Sequence, residues 1–110
     1  MEKFNDYQAL TTQMAMVADD KQRLLIYIMG LAGETGEVSE KFKKLFRDQQ
    51  GEMSDNFKQE VAKELGDVLW YVSSIAHELG LPLEDVAKAN VEKIQSRRAR
   101  NTQHGNGDNR

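Results

Sequence analysis

Apolar residues recur along this chain at the three- and four-residue spacing typical of amphipathic helices, and no strand-like alternation extends beyond a few residues. The spacing predicts a first helix over about residues 5–17 and a second over about residues 22–46. Ser54 is suited to cap a third helix that ends near Leu79, and a fourth helix fits residues 83–99. The expected fold is all-α, an antiparallel four-helix arrangement in up-and-down order.

Each of the first three helices carries an apolar stripe that we expect to face the core. The stripes are formed by Leu10, Met14 and Val17 on the first helix, by Leu24, Ile28, Leu31, Val38, Phe42 and Leu45 on the second, and by Phe57, Val61, Leu65, Val68, Val72 and Ile75 on the third. Trp70 lies opposite the stripe of its own helix, with Ser74 and His77, which predicts that this helix is contacted from two sides. In so small a chain, a second contact face favours an oligomer.

The composition narrows the range of functions. The chain has 110 residues, the length of one domain, and its 39% hydrophobic and 30% charged residues are typical of a folded globular protein. The absence of cysteine excludes disulfides, thiolate zinc sites and cysteine nucleophiles. The longest apolar run covers only residues 24–29 and the N-terminus has no secretory signal, so we expect no membrane span and a cytoplasmic protein. The net charge of −3 argues against stable nucleic-acid binding.

Four acidic residues form two pairs with i, i+3 spacing: Glu34 with Glu37, and Glu64 with Asp67. Any single pair of this kind is typical of a solvated helix face. The two pairs, however, lie equally far along the sequence from a polar turn near residues 50–51, and each occupies the same-handed flank of its apolar stripe. In an antiparallel hairpin, all four carboxylates should therefore converge on one edge.

Four clustered anions repel one another unless cations neutralise them. With two histidines and no cysteine in the chain, the ligands would be carboxylate oxygens, which suit Mg²⁺ and, as a substitute, Mn²⁺. The cluster therefore indicates a divalent-metal site. Gly30, Gly33, Gly36 and Gly66 lie beside the acidic pairs and favour either the close approach of a helix or ligand, or a break in the second helix near Gly30 or Gly33.

Three polar residues share one face of the fourth helix: Asn90, Lys93 and Arg97. Val86 and Ile94 lie on the same face, which should therefore point partly inward. Two cations and an amide beside an acidic metal site are suited to bind phosphates. The alternative is ordinary surface charge, which is favourable at a helix C-terminus.

Other polar and aromatic residues allow narrower interpretations. Tyr71 lies on the carboxylate flank of the third helix and either stacks on a substrate base or packs against the protein. Lys41 lies level with Glu60 across the predicted hairpin, which favours an ion pair between them over a phosphate contact. His77 and His104 are isolated histidines and are predicted to be non-catalytic.

The acidic pairs and their surroundings resemble a known family. The segment LAGETGEVSEKFKK from residue 31 is followed by KELGDVLWYVSSIAHELGLPLEDVAKANVEKIQSRR from residue 63. This pattern is similar to the metal-binding signature and downstream cations of the MazG-like nucleoside triphosphate pyrophosphohydrolases. The resemblance covers about residues 31–98, and both FNDYQ near the start and the ending GNGDNR add to it.

The resemblance implies a MazG-like pyrophosphohydrolase domain over residues 1–100 and a polar, Gly-rich tail over residues 101–110. It implies a helical fold that assembles into a larger bundle as a homo-oligomer, either a dimer or a tetramer. The implied activity is Mg²⁺-dependent hydrolysis of (deoxy)nucleoside triphosphates to monophosphate and pyrophosphate, in nucleotide-pool cleansing or balancing.

The same resemblance assigns roles to individual residues. The implied metal ligands are Glu34, Glu37, Glu64 and Asp67, and one glutamate of the first pair would orient or deprotonate water. The implied phosphate or sugar contacts are Asn90, Lys93 and Arg97. The tail is either loose or docked on a partner, and Asp108 and Arg110 would then reach the site of a neighbouring subunit.

Two other classes of protein remain open at this point. A non-enzymatic helical interaction module would dock a basic partner on the acidic edge, and it would show neither saturable Mg²⁺ binding nor nucleotide hydrolysis. A di-iron carboxylate bundle would need Glu-x-x-His pairs, and neither histidine follows a glutamate of the predicted site at that spacing.

Overall fold

The structure, a computed structural model, describes residues 3–15, 19–101 and 104–108. Within these residues it contains four helices and no strand: α1 (Phe4–Gln13), α2 (Asp20–Asp48), α3 (Asp55–Glu78) and α4 (Leu83–Ala99). The prediction of an all-α fold is confirmed. No helix in these described segments is both long and apolar enough to cross a membrane.

Side-chain caps explain where the two long helices begin. Asp19 accepts a hydrogen bond from the Lys21 amide at 3.0 Å, and Ser54 accepts one from the Phe57 amide at 3.0 Å. The α2 helix continues unbroken past its internal glycines, which excludes the alternative of a break near Gly30 or Gly33. The turn between α2 and α3 reverses the chain at Gly51, whose φ of 77° is readily adopted by glycine.

The α2–α3 hairpin forms the main body of the fold. Near its turn, Leu45 is buried, and the rings of Phe42 and Phe57 meet edge to face with centroids 5.2 Å apart. Further along the hairpin, the buried Tyr27 ring meets Trp70 at 5.5 Å. These contacts hold the two helices side by side and so fix the register of their flanks.

The α1 helix is attached by hydrogen bonds from two buried polar residues, Gln8 and Thr11. The Thr11 hydroxyl bonds the Ser73 hydroxyl at 2.9 Å, which docks α1 on α3. The Gln8 amide donates to the Leu81 carbonyl at 2.9 Å and accepts from the Leu83 amide at 3.1 Å. Gln8 therefore ties α1 to the start of α4.

Several residues predicted to be buried are exposed instead. They are Leu10 and Met14 on α1, Ile28 on α2, Leu65 on α3, and Val86 and Ile94 on α4, whereas Val17 lies outside the described residues. α1 also leaves helical geometry after Gln13, short of the predicted residue 17. The radius of gyration is 16.8 Å, against about 13 Å for a compact chain of this length. A single copy of the chain therefore leaves exposed several apolar residues that the sequence pattern predicts to be buried.

Candidate active site

Three of the four predicted metal ligands meet on one edge of the hairpin. One carboxylate oxygen each from Glu34, Glu64 and Asp67 lies within 4.8 Å of the others. We call these residues the carboxylate trio. Glu37 lies one turn along α2 from Glu34, is exposed, and is not part of the trio. The hairpin register thus brings Glu34 to the same edge as Glu64 and Asp67, whereas the predicted convergence of Glu37 with them is not seen.

The close approach of like charges changes the acidity of Glu34. Burial raises the pKa of the Glu34 carboxyl above its ordinary value of 4.5, and a hydrogen bond to Glu64 raises it further. The negative charges of Asp67, Glu64 and Glu37 act in the same direction. The negative charges of the neighbouring carboxylates therefore disfavour the charged form of Glu34, and a bound cation would offset this repulsion.

Lys41 supplies a positive charge beside the trio. Its ammonium lies 3.9 Å from the Glu64 carboxylate, and both side chains are partly buried. The predicted ion pair between Lys41 and Glu60 is wrong, because Glu60 pairs instead with Lys63 at 3.2 Å. Lys41 instead pairs with Glu64, one helical turn further along α3 than Glu60, where the negative charges of the trio attract its ammonium group.

An open cleft of about 250 Å³ adjoins the trio. It is lined by two trio members, Glu34 and Asp67, and by the aromatic rings of Trp70 and Tyr71. The two rings meet edge to face with centroids 5.2 Å apart. The cleft therefore combines carboxylates with flat aromatic surfaces at one place.

Gly30 allows the Tyr71 ring to lie directly against α2. A Cβ at this position would stand 2.3 Å from Tyr71 Cε1, closer than real side chains come. A Cβ at Gly33, Gly36 or Gly66 would meet nothing within 4 Å. Of the two interpretations of these glycines, close approach therefore holds at Gly30, and the approaching group is a tyrosine ring.

Two residues near this cleft were not predicted from the sequence as site residues. Trp70 was assigned only to a second contact face, although it follows Asp67 by three residues and so shares its flank. Tyr7 from α1 lies close enough to Asp67 to feel its charge: burial, and after it the negative charge of Asp67, raises the pKa of the Tyr7 hydroxyl. No spacing within α1 indicates this position, since it depends on how α1 docks on α3.

The predicted phosphate contacts lie on α4, which packs on α1 and α3 and does not touch α2 in the described part of the chain. Asn90 is exposed and the Lys93 side chain is 38% exposed, whereas Arg97 is buried at 6% exposure. Arg97 is covered by the tail of the same chain. The structure thus gathers the carboxylates on the hairpin and places the cations on a separate helix.

The part of the tail that the structure describes, residues 104–108, lies on α4. Asp108 contacts Lys93 and Arg97 of its own chain, and these cations hold the pKa of its carboxyl below the ordinary range. Within this single chain Asp108 therefore lies on its own α4, its contact with a neighbouring subunit stays a prediction, and Arg110 lies outside the described residues. The other predicted residue of the tail, His104, is exposed.

The sequence of this chain is similar to those of known proteins. Residues 22–101 match the family model described as MazG nucleotide pyrophosphohydrolase domain. Gene 37 protein of Mycobacterium phage L5 is 41% identical over 92 residues, which cover 84% of this chain and 81% of the phage protein. No solved structure matches the chain. Because the family match covers well over half of the chain, including both acidic pairs and α4, the chain belongs to the MazG nucleotide pyrophosphohydrolase domain family.

Proposed function

We propose that this protein hydrolyses (deoxy)nucleoside triphosphates to nucleoside monophosphate and pyrophosphate, in nucleotide-pool cleansing or balancing. The observation that carries the proposal is the carboxylate trio, drawn from two helices and opening into an aromatic-lined cleft. Membership of the family supports a pyrophosphohydrolase-type enzyme. Cleavage at the α-phosphate is the part of the proposal that rests on the family alone.

The donor set fits a hard divalent cation. Glu34, Glu64 and Asp67 offer three oxygen ligands within 4.8 Å of one another, and Glu37 would complete the set of four. Mg²⁺, with Mn²⁺ as a substitute, is the cation we propose; when bound it supplies charge neutralisation for the phosphates. Burial and the neighbouring carboxylates raise the pKa of Glu34, and a bound cation would offset the repulsion among these charges.

The glutamates of the first pair would also act on water. Glu37 is exposed beside the trio, so one of its oxygens can accept a proton from a water while Glu34 stays with the other carboxylates. We assign the role of base to Glu37, with Glu34 as the residue that orients the water. The position of Glu34 inside the trio and of Glu37 outside it supports this division.

The substrate would lie across the cleft and α4. Tyr71 and Trp70 present ring faces or edges beside the carboxylates, which suits stacking on a base. Asn90, Lys93 and Arg97 would hold the phosphates or the sugar, since guanidinium and ammonium groups are strong partners for phosphate oxygens.

A second copy of the chain is the partner we propose for the exposed apolar faces. Ile28 and Met29 of α2 are 48% and 66% exposed, and Val91 and Ile94 of α4 are 50% and 51% exposed. Such side chains gain most from burial against another apolar surface. A homo-oligomer, either a dimer or a tetramer, would supply that surface, and light scattering on the purified chain measures its mass.

The experiment that tests the proposed activity is pyrophosphate release from a panel of ribo- and deoxynucleoside triphosphates, with and without Mg²⁺. We expect metal-dependent release for the wild type and loss of turnover in Glu37→Gln, with helical content unchanged by circular dichroism. Glu40→Gln is the matched control, because Glu40 lies one turn further along α2 and pairs with Lys43 at 3.2 Å.

Three results would contradict parts of this proposal. Release of orthophosphate would keep the metal site and refute the cleavage position. Full activity in Glu37→Gln would refute the role of Glu37. Absence of release from every nucleotide, together with no saturable Mg²⁺ binding in a calorimetric titration, would favour the non-enzymatic interaction module with an acidic docking edge.

A further inference from the structure

The tail segment, residues 104–108, supplies acceptors to the two cations of α4. The Arg97 Nη2 group donates to the Asp108 carbonyl at 2.8 Å and to the Gly107 carbonyl at 3.3 Å. The Asp108 carboxylate oxygen Oδ1 lies 3.3 Å from Lys93 Nζ and 3.4 Å from Arg97 Nη2. One carboxylate oxygen thus bridges both cations.

These donors are the ones that the proposed function assigns to substrate phosphate. A phosphate oxygen bound between Lys93 Nζ and Arg97 Nη2 would need the position of Asp108 Oδ1, which lies within 3.4 Å of both nitrogen atoms. A carboxylate at this position also cancels part of the positive potential that would attract a polyphosphate. The tail and the substrate therefore compete for the same groups.

We propose that Asp108 is an internal anionic competitor that occupies the Lys93–Arg97 pair and sets the affinity of the protein for polyphosphate. The inference rests on the proposed function for the identity of the ligand, a nucleoside triphosphate. It assigns to the tail a role in affinity that neither the family match nor the phage relative describes.

The contacts of Asp108 favour a displaceable group over a rigid brace. Its side chain is 84% exposed, and its two carboxylate contacts, at 3.3 and 3.4 Å, are at the long end of charge-assisted hydrogen bonds. The ion pair between Lys93 and Asp108 is exposed on both sides, and exposed ion pairs contribute little to stability. Gly107, just before Asp108, has a φ of 79°, a backbone conformation that glycine adopts readily.

The decisive comparison is Asp108→Asn against wild type in a titration with inorganic tripolyphosphate. Calorimetry on the full chain in EDTA and at low ionic strength reads binding to the cations without metal or turnover. We expect Asp108→Asn to bind tripolyphosphate about two- to fivefold more tightly, the range that an exposed ion pair allows. Asp108→Glu, which keeps the charge, should remain close to wild type.

Asp85→Asn is the matched control for loss of one negative charge. Asp85 is exposed on the first turn of α4, and eight residues along the helix separate it from Lys93 by about 12 Å. Its removal changes the net charge of the protein as Asp108→Asn does, without freeing the cation pair. Asp108→Asn should therefore exceed Asp85→Asn in its gain of affinity.

The outcomes separate this inference from the proposed activity. Equal or weaker tripolyphosphate binding in Asp108→Asn than in Asp85→Asn would overturn the competitor role and favour a brace that positions Lys93. No tripolyphosphate binding by any variant would also overturn it. Pyrophosphate release by the wild type is read separately, so tighter binding in Asp108→Asn with no nucleotide hydrolysis would uphold the competitor and refute the proposed function.

Discussion

Replacing Glu34 with glutamine should stabilise the metal-free protein while removing its response to Mg²⁺. In the folded chain, Glu34 carries a negative charge close to Glu64 and Asp67, whereas in the unfolded chain these charges are far apart. Glutamine has nearly the same shape and can still hydrogen-bond the Glu64 carboxylate. The substitution therefore removes repulsion without leaving a cavity.

The size of the effect follows from the separation of the oxygens. Two unit charges 4.8 Å apart repel by roughly 0.9 kcal/mol in a medium as polar as water. Glu34 faces two such partners, and salt in the buffer screens part of their combined repulsion. We therefore expect Glu34→Gln to raise the free energy of unfolding by about 1 kcal/mol, which corresponds to a Tm increase of about 4–8 °C.

Thermal unfolding followed by circular dichroism, in EDTA and again in saturating Mg²⁺, measures both parts of the prediction. Mg²⁺ should stabilise the wild type by about 2.7 kcal/mol at a hundred times its Kd, and it should stabilise Glu34→Gln far less. Glu37→Gln is the control in EDTA, since Glu37 lies outside the trio and its removal relieves less repulsion. A lower Tm for Glu34→Gln than for wild type in EDTA would refute the electrostatic reasoning.

The pH dependence provides an independent check on the same charge. Because the pKa of Glu34 is raised in the folded state, the folded chain binds its proton more tightly than the unfolded chain does. The stability from this group is present below the ordinary value of 4.5 and is lost as pH rises through the raised pKa. The advantage of Glu34→Gln in EDTA should therefore be largest at neutral pH and shrink on acidification.

Three further substitutions test the packing of the fold and its site. Gly30→Ala should lower the Tm and raise KM, because the added methyl group displaces the Tyr71 ring. Gly33→Ala, where the methyl group meets nothing, should raise the free energy of unfolding by about 1 kcal/mol. Equal Tm values for the two variants would contradict the close approach of Tyr71 to Gly30. Gln8→Ala should cost about 2–3 kcal/mol in urea unfolding, because it leaves buried backbone groups of the α3–α4 turn without partners. A loss below about 0.5 kcal/mol would show that water replaces the Gln8 amide.

The features that could be predicted from the sequence are those that depend on short-range spacing. The α3 and α4 boundaries follow from Ser54 as a cap, from Gly80 as a stop and from the apolar period. The meeting of Glu34 with Glu64 and Asp67 follows from one further step, the reversal of a single hairpin about Gly51. Helical periodicity and one turn are sufficient for both.

The features that could not be predicted depend on how separate segments dock. The burial of Gln8 and Thr11, in place of Leu10 and Met14, reverses the usual preference for apolar residues inside. It becomes possible because hydrogen bonds to Ser73 and to the α3–α4 turn satisfy the buried groups. Periodicity within α1 carries no information about those distant partners.

The two halves of the proposed site are consequently held by different forces. The position of the trio depends on apolar and aromatic contacts between α2 and α3. Tyr27, for example, is buried and its ring meets Trp70 across the hairpin. The cations depend on the orientation of α4, which the Gln8 hydrogen bonds fix at one end only while Ile94 near the other end stays exposed. Cover over the apolar face of α4 would therefore position the cations as well as bury the apolar side chains.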